Sequence, residues 1–327
     1  MTVSLEAVAE AWPIPGRFVI SRGAKTEAQV VVATLRAGDA VGRGECVPYA
    51  RYDESVDGVL AKIESVRPHV EAGCGRDRLT ELLPAGAARN ALDCALWDLE
   101  AKQTGVRVWA RLGRPRLSPL KTAYTISYGS PEEMGNSAAA AARRPLLKLK
   151  IGGPDDLDRI EAVRNAAPRS RLIVDGNEGL SFEQLRALAP EFARLGVQLV
   201  EQPLKVGEDA ALEGWTSPVP LCADESLHTR AELDACAGRY SVVNVKLDKT
   251  GGLTEAAALV QAARDRGMGI MAGCMVATSL SMAPAMVIAQ GAEFVDLDGP
   301  LLLASDREPG LRYVGSVAEP PSPELWG

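Results

Sequence analysis

Six ionisable residues recur at close to one interval. Lys150, Asp175, Glu201, Asp224, Lys246 and Asp296 each close a short apolar, β-rich run, with successive gaps of 25, 26, 23, 22 and 50 residues. A gap in the low to mid twenties holds one strand, one helix and two short loops, and the last gap is two such units. Three acids brought to one point repel unless a cation lies among them, and carboxylate oxygens favour Mg2+ or Mn2+ with water and substrate oxygens completing the shell. Lysine is a poor base near neutrality because its ordinary pKa is about 10.4. A dication and a second ammonium both disfavour its charged form. Lys148 precedes Lys150 by two residues, so both can face inward on one strand and discourage each other's charge. Two lysines on opposite faces of one carbon can take a proton from either side and return it on the other. That is a 1,1-proton transfer, with the dication stabilising the enolate between.

The elements that must position these groups follow from the same runs. From Thr122 onward, strands are predicted at residues 122–127, 146–150, 171–175, 197–201, 220–224, 241–246, 269–274 and 293–298. Ala- and Leu-rich stretches such as 183–195 and 253–266 suit helices between them. Ser130-Pro131-Glu132-Glu133 and Ser181-Phe182-Glu183 each place a capping hydroxyl before acidic first-turn residues. Strand alternating with helix implies parallel strands, and eight of them can close into a barrel with its site at the strand ends. Lys150 and Lys246 then end strands 2 and 6, which face one another across the mouth, and the three acids end the strands between. Glu225, beside Asp224, is expected to point the other way and to support the ligand from behind. Residues 1–118 lack the interval. Residues 30–35, the turn at Gly38-Asp39 and residues 41–46 predict a hairpin. Ala88, Leu92, Ala95, Leu96 and Leu99 share one face of a helix over 87–102 that Gly105 ends. The expected layout is an α+β domain over 1–118, a barrel over 119–304, and a tail over 305–327 that runs back to the first domain.

Composition narrows the function classes. The chain has 327 residues with net charge −7 and no block of Lys or Arg, which argues against a nucleic-acid partner. No apolar run reaches the roughly 18–20 residues that cross a bilayer, so no membrane partner is expected, and no basic, then apolar, leader opens the chain. The six cysteines form no C-x-x-C pair and read as reduced thiols in a cytoplasmic protein.

Several segments in order carry a resemblance to a known family. They are Phe18-Val19-Ile20-Ser21-Arg22-Gly23, Gly44-Glu45-Cys46, residues 85–93, Lys148-Leu149-Lys150, Asp175-Gly176-Asn177-Glu178, Glu201-Gln202-Pro203, Cys222-Ala223-Asp224-Glu225-Ser226 and Val245-Lys246-Leu247-Asp248-Lys249-Thr250-Gly251-Gly252. The chain resembles the enolase superfamily, muconate-lactonizing subgroup, over nearly its whole length. Within that subgroup, Asp296-Leu297-Asp298-Gly299-Pro300 is similar to the dipeptide epimerases that act on L-Ala-D/L-Glu. The resemblance implies a (β/α) barrel of modified TIM type, eight parallel strands under an N-terminal α+β capping domain. It implies Mg2+ on Asp175, Glu201 and Asp224, one ion per subunit, and acid/base catalysis by Lys150 and Lys246. Lys148 would help hold the substrate carboxylate and lower the pKa of Lys150.

A dipeptide ending in Glu presents an ammonium, a C-terminal carboxylate for the metal and a side-chain carboxylate. Asp296 and Asp298 suit the ammonium, and Arg22 suits the side-chain carboxylate as a lid residue. Thr125 and Ser127, Cys274 and Met275, and Ser279 are expected to line the pocket. The implied role is an isomerase in recycling of cell-wall peptide, and barrel enzymes of this type often form homo-oligomers, although no stripe here marks an interface. Other subgroup reactions remain open as alternatives: cycloisomerase, o-succinylbenzoate synthase or N-acylamino acid racemase. Two departures stand out. Ala277 lies where many members carry a glutamate, and Gly176 replaces a common alanine with no expected consequence. His69 and His228 do not match the dyad of acid-sugar dehydratases; His69 is expected at the surface of the first domain and His228 to be structural.

Overall fold

The computed structural model describes residues 3–20, 23–153 and 155–327. The chain opens with an antiparallel meander of β1 (Ser4–Ile20), β2 (Gly23–Ala37) and β3 (Ala40–Cys46). The predicted hairpin is β2–β3, with Gly38 at φ +60 in its turn. β1 was not predicted: Pro13, Pro15 and Gly16 break its alternation, and its pairing shifts register between Pro13 and Phe18. An edge strand tolerates proline because its outward N–H groups need no partner. Helices α1 (Val56–Glu71), α2 (Arg76–Leu82) and α3 (Ala87–Thr104) follow, and α3 ends at Gly105 with φ +69. The sheet is buried on both faces, which explains the unbroken apolar run in β2. Val31, Ala33 and Leu35 join the core of the first domain, while Val30 and Val32 face the barrel. Gly44 is where α3 lies on β3: a Cβ there would stand 2.1 Å from the Ala91 carbonyl oxygen.

Short α4 (Val108–Arg111) leads to β4 (Leu120–Lys121) and then to the alternating region. Its order is β5 (Tyr124–Ile126), α5 (Pro131–Ala140), β6 (Leu146–Lys150), α6 (Asp156–Ala166), β7 (Arg171–Asp175), α7 (Phe182–Arg194), β8 (Val197–Glu201), β9 (Leu221–Ala223), α8 (Leu233–Ala237), β10 (Val242–Val245), α9 (Leu247–Thr250), α10 (Leu253–Asp265), β11 (Gly269–Ala272), α11 (Ser279–Ala289) and β12 (Phe294–Val295). Both predicted helix starts are capping boxes, Ser130 with Glu133 and Ser181 with Gln184. Only a 3-10 turn joins β8 to β9. The eight strands β5–β12 are hydrogen-bonded in sequence order, every pairing among them parallel, and Ala123 N donates to Val295 O at 2.8 Å to join the two ends. Ala123, Leu146, Ile173, Leu199, Cys222, Val242, Met271 and Phe294 form one buried layer inside the ring, one residue from each strand or its immediate approach. This is a filled barrel core.

The tail adds β13 (Tyr313–Val314) and β14 (Val317–Ala318), which pair with each other, and β14 pairs with β4. It also reaches the first domain. Arg307 donates to Glu10 and Glu45, Trp326 Nε1 to Cys94 O at 3.1 Å, and Gly327 N to Asp98 Oδ1 at 2.7 Å.

Candidate active site

Because side chains on a strand alternate, the inward layer of apolar residues fixes which residues point inward above it. Two positions past Ile173, Leu199 and Cys222 come Asp175, Glu201 and Asp224. Above Leu146 come Lys148 and Lys150, above Val242 come Asn244 and Lys246, and above Phe294 come Asp296 and Asp298. Lys150, Asp175 and Glu201 are direct partners across β6, β7 and β8. The predicted strand ends ran up to three residues too far, so Asp224, Lys246, Asp296 and Asp298 sit just past the ladder, where loop backbone sets their aim.

These groups surround a cavity of about 470 Å3 between the barrel mouth and the first domain. Thr125, Lys148, Lys150, Asp224, Lys246, Cys274, Met275, Asp296 and Asp298 line it, while Asp175 and Glu201 lie fully buried beneath. Arg22 lies outside the described residues. Ser127 is not among the lining residues. Ser279 is a correction: it begins α11 and is fully buried, taking Leu311 N and donating its backbone N–H to Asp306. Glu225 is a second correction. β9 stops at Ala223, so alternation no longer applies and Glu225 turns into the cavity.

Ammonium groups lie between the acids. Lys148 Nζ is 3.1 Å from Asp175 Oδ2, 2.6 Å from Glu201 Oε2 and 2.8 Å from Asp296 Oδ2. Lys150 Nζ donates to Asp175 Oδ2 at 2.6 Å, and Lys246 Nζ to Asp224 Oδ2 at 2.6 Å with Glu201 Oε1 at 3.8 Å. Burial opposes the charge of Lys148, but Asp296, Glu201 and Asp175 outweigh it and hold Lys148 well above the ordinary lysine value. Lys246 is likewise held up against burial by Asp224 and Glu201. Each of these two amines touches acids directly, and that contact outweighs burial. Burial also opposes the charges of Asp175 and Asp224, yet Lys150 and Lys148 hold the first below the usual carboxylate range, and Lys246 and Lys249 the second. Glu201 goes the other way, pushed up to about 7 by burial and by Asp175. Burial and Asp296 push Asp298 to about 7.

Among the described residues, the buried acids around this mouth (Asp175, Glu201, Asp224, Glu225, Asp296 and Asp298) outnumber the buried lysines (Lys148, Lys150, Lys246 and Lys249), an excess of negative charge that a bound cation would reduce. Glu201 Oε2 lies beside Lys148 Nζ but accepts no well-aligned hydrogen bond, and Asp296 Oδ1 accepts none. Among the described residues no three His, Cys, Asp or Glu side chains form a ready-made metal cage, since Lys148 and Lys246 stand between the acids. The donor set is all oxygen on adjacent strands, and its chemistry and charge fit Mg2+.

Sequence spacing missed other residues. Lys249, fully buried, donates to Asp224 Oδ1 at 2.6 Å and to Asn244 O at 3.0 Å. Asn244 Nδ2 donates to Glu201 Oε1 at 2.7 Å, and Gln202 Oε1 takes Asp224 N at 2.8 Å. Asn177, Glu178 and Gln202 hold φ of +43, +66 and +32 just beyond β7 and β8; such backbone costs energy and clusters at working sites. Lys249, Gln202, Asn177 and Glu178 stand in motifs quoted above and Asn244 in none, and no spacing betrays a role for any of them. Gly176 matters more than expected, since a Cβ there would stand 2.9 Å from Pro203 Cα. The first domain supplies the roof. Arg51 forms a two-pronged ion pair with Glu178, both contacts at 2.7 Å, and Tyr52 meets His228 edge-on at 4.5 Å. Burial lowers His228 to about 4, so it packs as a neutral ring. His69 is exposed.

Comparison with known proteins follows the same division. Residues 133–316 match the family model for the enolase C-terminal domain-like fold, and residues 2–113 that for the mandelate racemase / muconate lactonizing enzyme N-terminal domain. The chain is 48% identical over 306 residues to an L-Ala-D/L-Glu epimerase of Escherichia coli (strain K12), covering 93% of this chain and 95% of that one. It is 44% identical over 306 residues to an N-acetyl-D-glutamate racemase of Pseudoalteromonas sp, covering 91% and 95%. Among solved structures, an Agrobacterium tumefaciens enolase family member with homology to dipeptide epimerases, holding sodium and L-Ala-L-Glu, superposes with a TM-score of 0.98 at 51% identity over 99% of this chain and 100% of that one. A Methylococcus capsulatus dipeptide epimerase complexed with Mg and L-Arg-D-Lys gives 0.90 at 28% identity, covering 98% of each chain.

Proposed function

Since the chain belongs to the mandelate racemase / muconate lactonizing enzyme family of the enolase superfamily, we propose that it is a Mg2+-dependent dipeptide epimerase acting on L-Ala-D/L-Glu. The observation that carries the reading is the position of Lys150 at the end of β6 and Lys246 just past β10, four strands apart in a ring of eight, both lining one cavity. Identity of 48% to a relative of that activity supports the substrate.

Asp175, Glu201 and Asp224 would hold Mg2+, which would supply positive charge that stabilises negative charge on the substrate's C-terminal carboxylate. Bound there, the ion would offset the acid charge that holds Lys246 up, which would favour the neutral, basic form of Lys246. Lys150 removes the α-proton of the C-terminal residue from one face, and Lys246 returns a proton on the other. For the opposite epimer the roles exchange. Asp296 and Asp298 take the N-terminal ammonium, Lys148 helps to hold the carboxylate, and Arg22 answers the glutamate side chain. Thr125, Cys274 and Met275 form pocket wall. Six free thiols suit a cytoplasmic setting, and the substrate suits recycling of cell-wall peptide.

The test is turnover of L-Ala-L-Glu in D2O with Mg2+, followed by NMR. Interconversion of the two epimers with α-deuterium in both, lost on chelation and restored by Mg2+, is the expected result. No α-deuterium in either epimer contradicts the reading. One second reading has a specific observation behind it: the 44% identity to an N-acetyl-D-glutamate racemase points to N-acylamino acid racemisation at the same lysines.

A further inference from the structure

The turn that follows Lys246 is gripped by the first domain, and one of its side chains is unused by the reaction. Asp248, two residues after Lys246 on α9, is only 4% exposed. Its Oδ1 accepts Val47 N at 2.9 Å and Asn90 Nδ2 at 2.8 Å, so it reaches from the barrel to the segment just past β3 and to α3 at once. Val47 lines the cavity, and the chain from it runs directly into Tyr49, Ala50, Arg51 and Tyr52, which line it too. The rest of the turn is docked separately. Arg89 donates to Thr250 O at 2.7 Å and Gly251 O at 3.1 Å, and Asp93 takes Thr254 N at 3.0 Å. The approach is close enough to require glycine: at Gly251, with φ +74, a Cβ would stand 2.4 Å from Arg89 Nε.

Arg89 and Asp93 therefore hold α3 to the barrel, and Asp248 alone among these contacts ties the base-bearing turn to the backbone that covers the substrate. We propose that Asp248 is a positioning residue that sets Lys246 against the substrate by fixing the distance between this turn and the Val47–Tyr52 roof. The proposal rests on the epimerase reading. Lys150 sits on the other side of the cavity on β6, which Asp248 does not touch, so the effect belongs to one face of the reacting carbon. Burial, beside Glu54 and Glu45, pushes Asp248 up to about 7. An amide of the same shape, which keeps the oxygen that Val47 N requires, therefore preserves the link.

The experiment measures α-deuterium wash-in in D2O separately from L-Ala-L-Glu and L-Ala-D-Glu, with Lys150→Ala and Lys246→Ala first identifying the epimer each lysine serves. Asp248→Ala is expected to slow wash-in from the Lys246 epimer about tenfold or more, as small misplacements of reacting groups do, while the Lys150 epimer changes less than about twofold. Asp248→Asn recovers most of the loss. Amide hydrogen exchange read by mass spectrometry is expected to rise at Val47 in the alanine variant and not in the asparagine variant. Should Asp248→Ala fold poorly, Asn90→Ala, which removes only the partner on α3, is expected to give the same one-sided pattern more weakly. Equal slowing from both epimers, or none, overturns the proposal. Absence of wash-in from the unaltered protein would instead bring down the reaction on which it rests.

Discussion

Asp296 and Asp298 lie two residues apart and face one cavity, yet their oxygens are committed differently. Asp298 Oδ2 takes Thr125 N at 2.7 Å. Asp296 Oδ2 takes Lys148 Nζ at 2.8 Å, while its Oδ1 is buried without a hydrogen-bond donor. Asp296 thus offers an acceptor to an arriving ammonium, and a charge-assisted hydrogen bond there contributes about 1.5–3 kcal/mol. Asp296→Asn is expected to cut kcat/KM for L-Ala-L-Glu by about tenfold to a hundredfold and to leave any N-acetylglutamate racemisation unchanged. Steady-state kinetics on both compounds separate the two readings, and equal losses would remove the ammonium assignment. The acids and the lysine pair were legible because strand alternation and a repeating β/α interval determine inward direction. Tyr52, Asn177, Glu225 and Lys249 were not, because they come from loops and one-turn helices beyond the strands, where strand spacing says nothing about aim.

The strands and helices owe their fit to a few small residues as much as to apolar pattern. Gly44 lets α3 rest on β3, with a Cβ there meeting the Ala91 carbonyl oxygen at 2.1 Å. Gly75, at the start of α2, has nothing within 4 Å and an ordinary φ. Gly44→Ala is expected to destabilise the protein by about 1–3 kcal/mol, the usual cost of overpacking, and Gly75→Ala by less than about 0.5 kcal/mol. Urea denaturation of the two variants checks this, and similar midpoints would contradict close packing of α3 on the sheet. The barrel was readable in the sequence because its strands are short, apolar and evenly spaced. β1 was not, because Pro13 and Pro15 interrupt its pattern and its pairing with β2 is a long-range choice made by the tertiary fold.

The two halves of the molecule are joined by buried charge around the site. Glu45 on β3 takes Thr278 N at 2.8 Å at the head of α11 and pairs with Arg307 of the tail at 2.7 Å, with Glu10 at 2.6 Å from the same guanidinium. Arg307→Ala would leave Glu45 buried without its cation, at a cost of about 3–5 kcal/mol. The expected result is a marked fall in the unfolding midpoint, and a change below about 1 kcal/mol would show that the pair does not join the halves.

This clasp keeps the roof over the barrel mouth, so that a substrate lies between Lys150 and Lys246. The most direct test is deuterium wash-in by the two single-lysine variants with Mg2+ present. Lys150→Ala is expected to keep exchange from one epimer and Lys246→Ala from the other, with neither variant interconverting them. Loss of exchange from both epimers in either variant, or retention of epimerisation in one of them, would contradict catalysis from opposite faces.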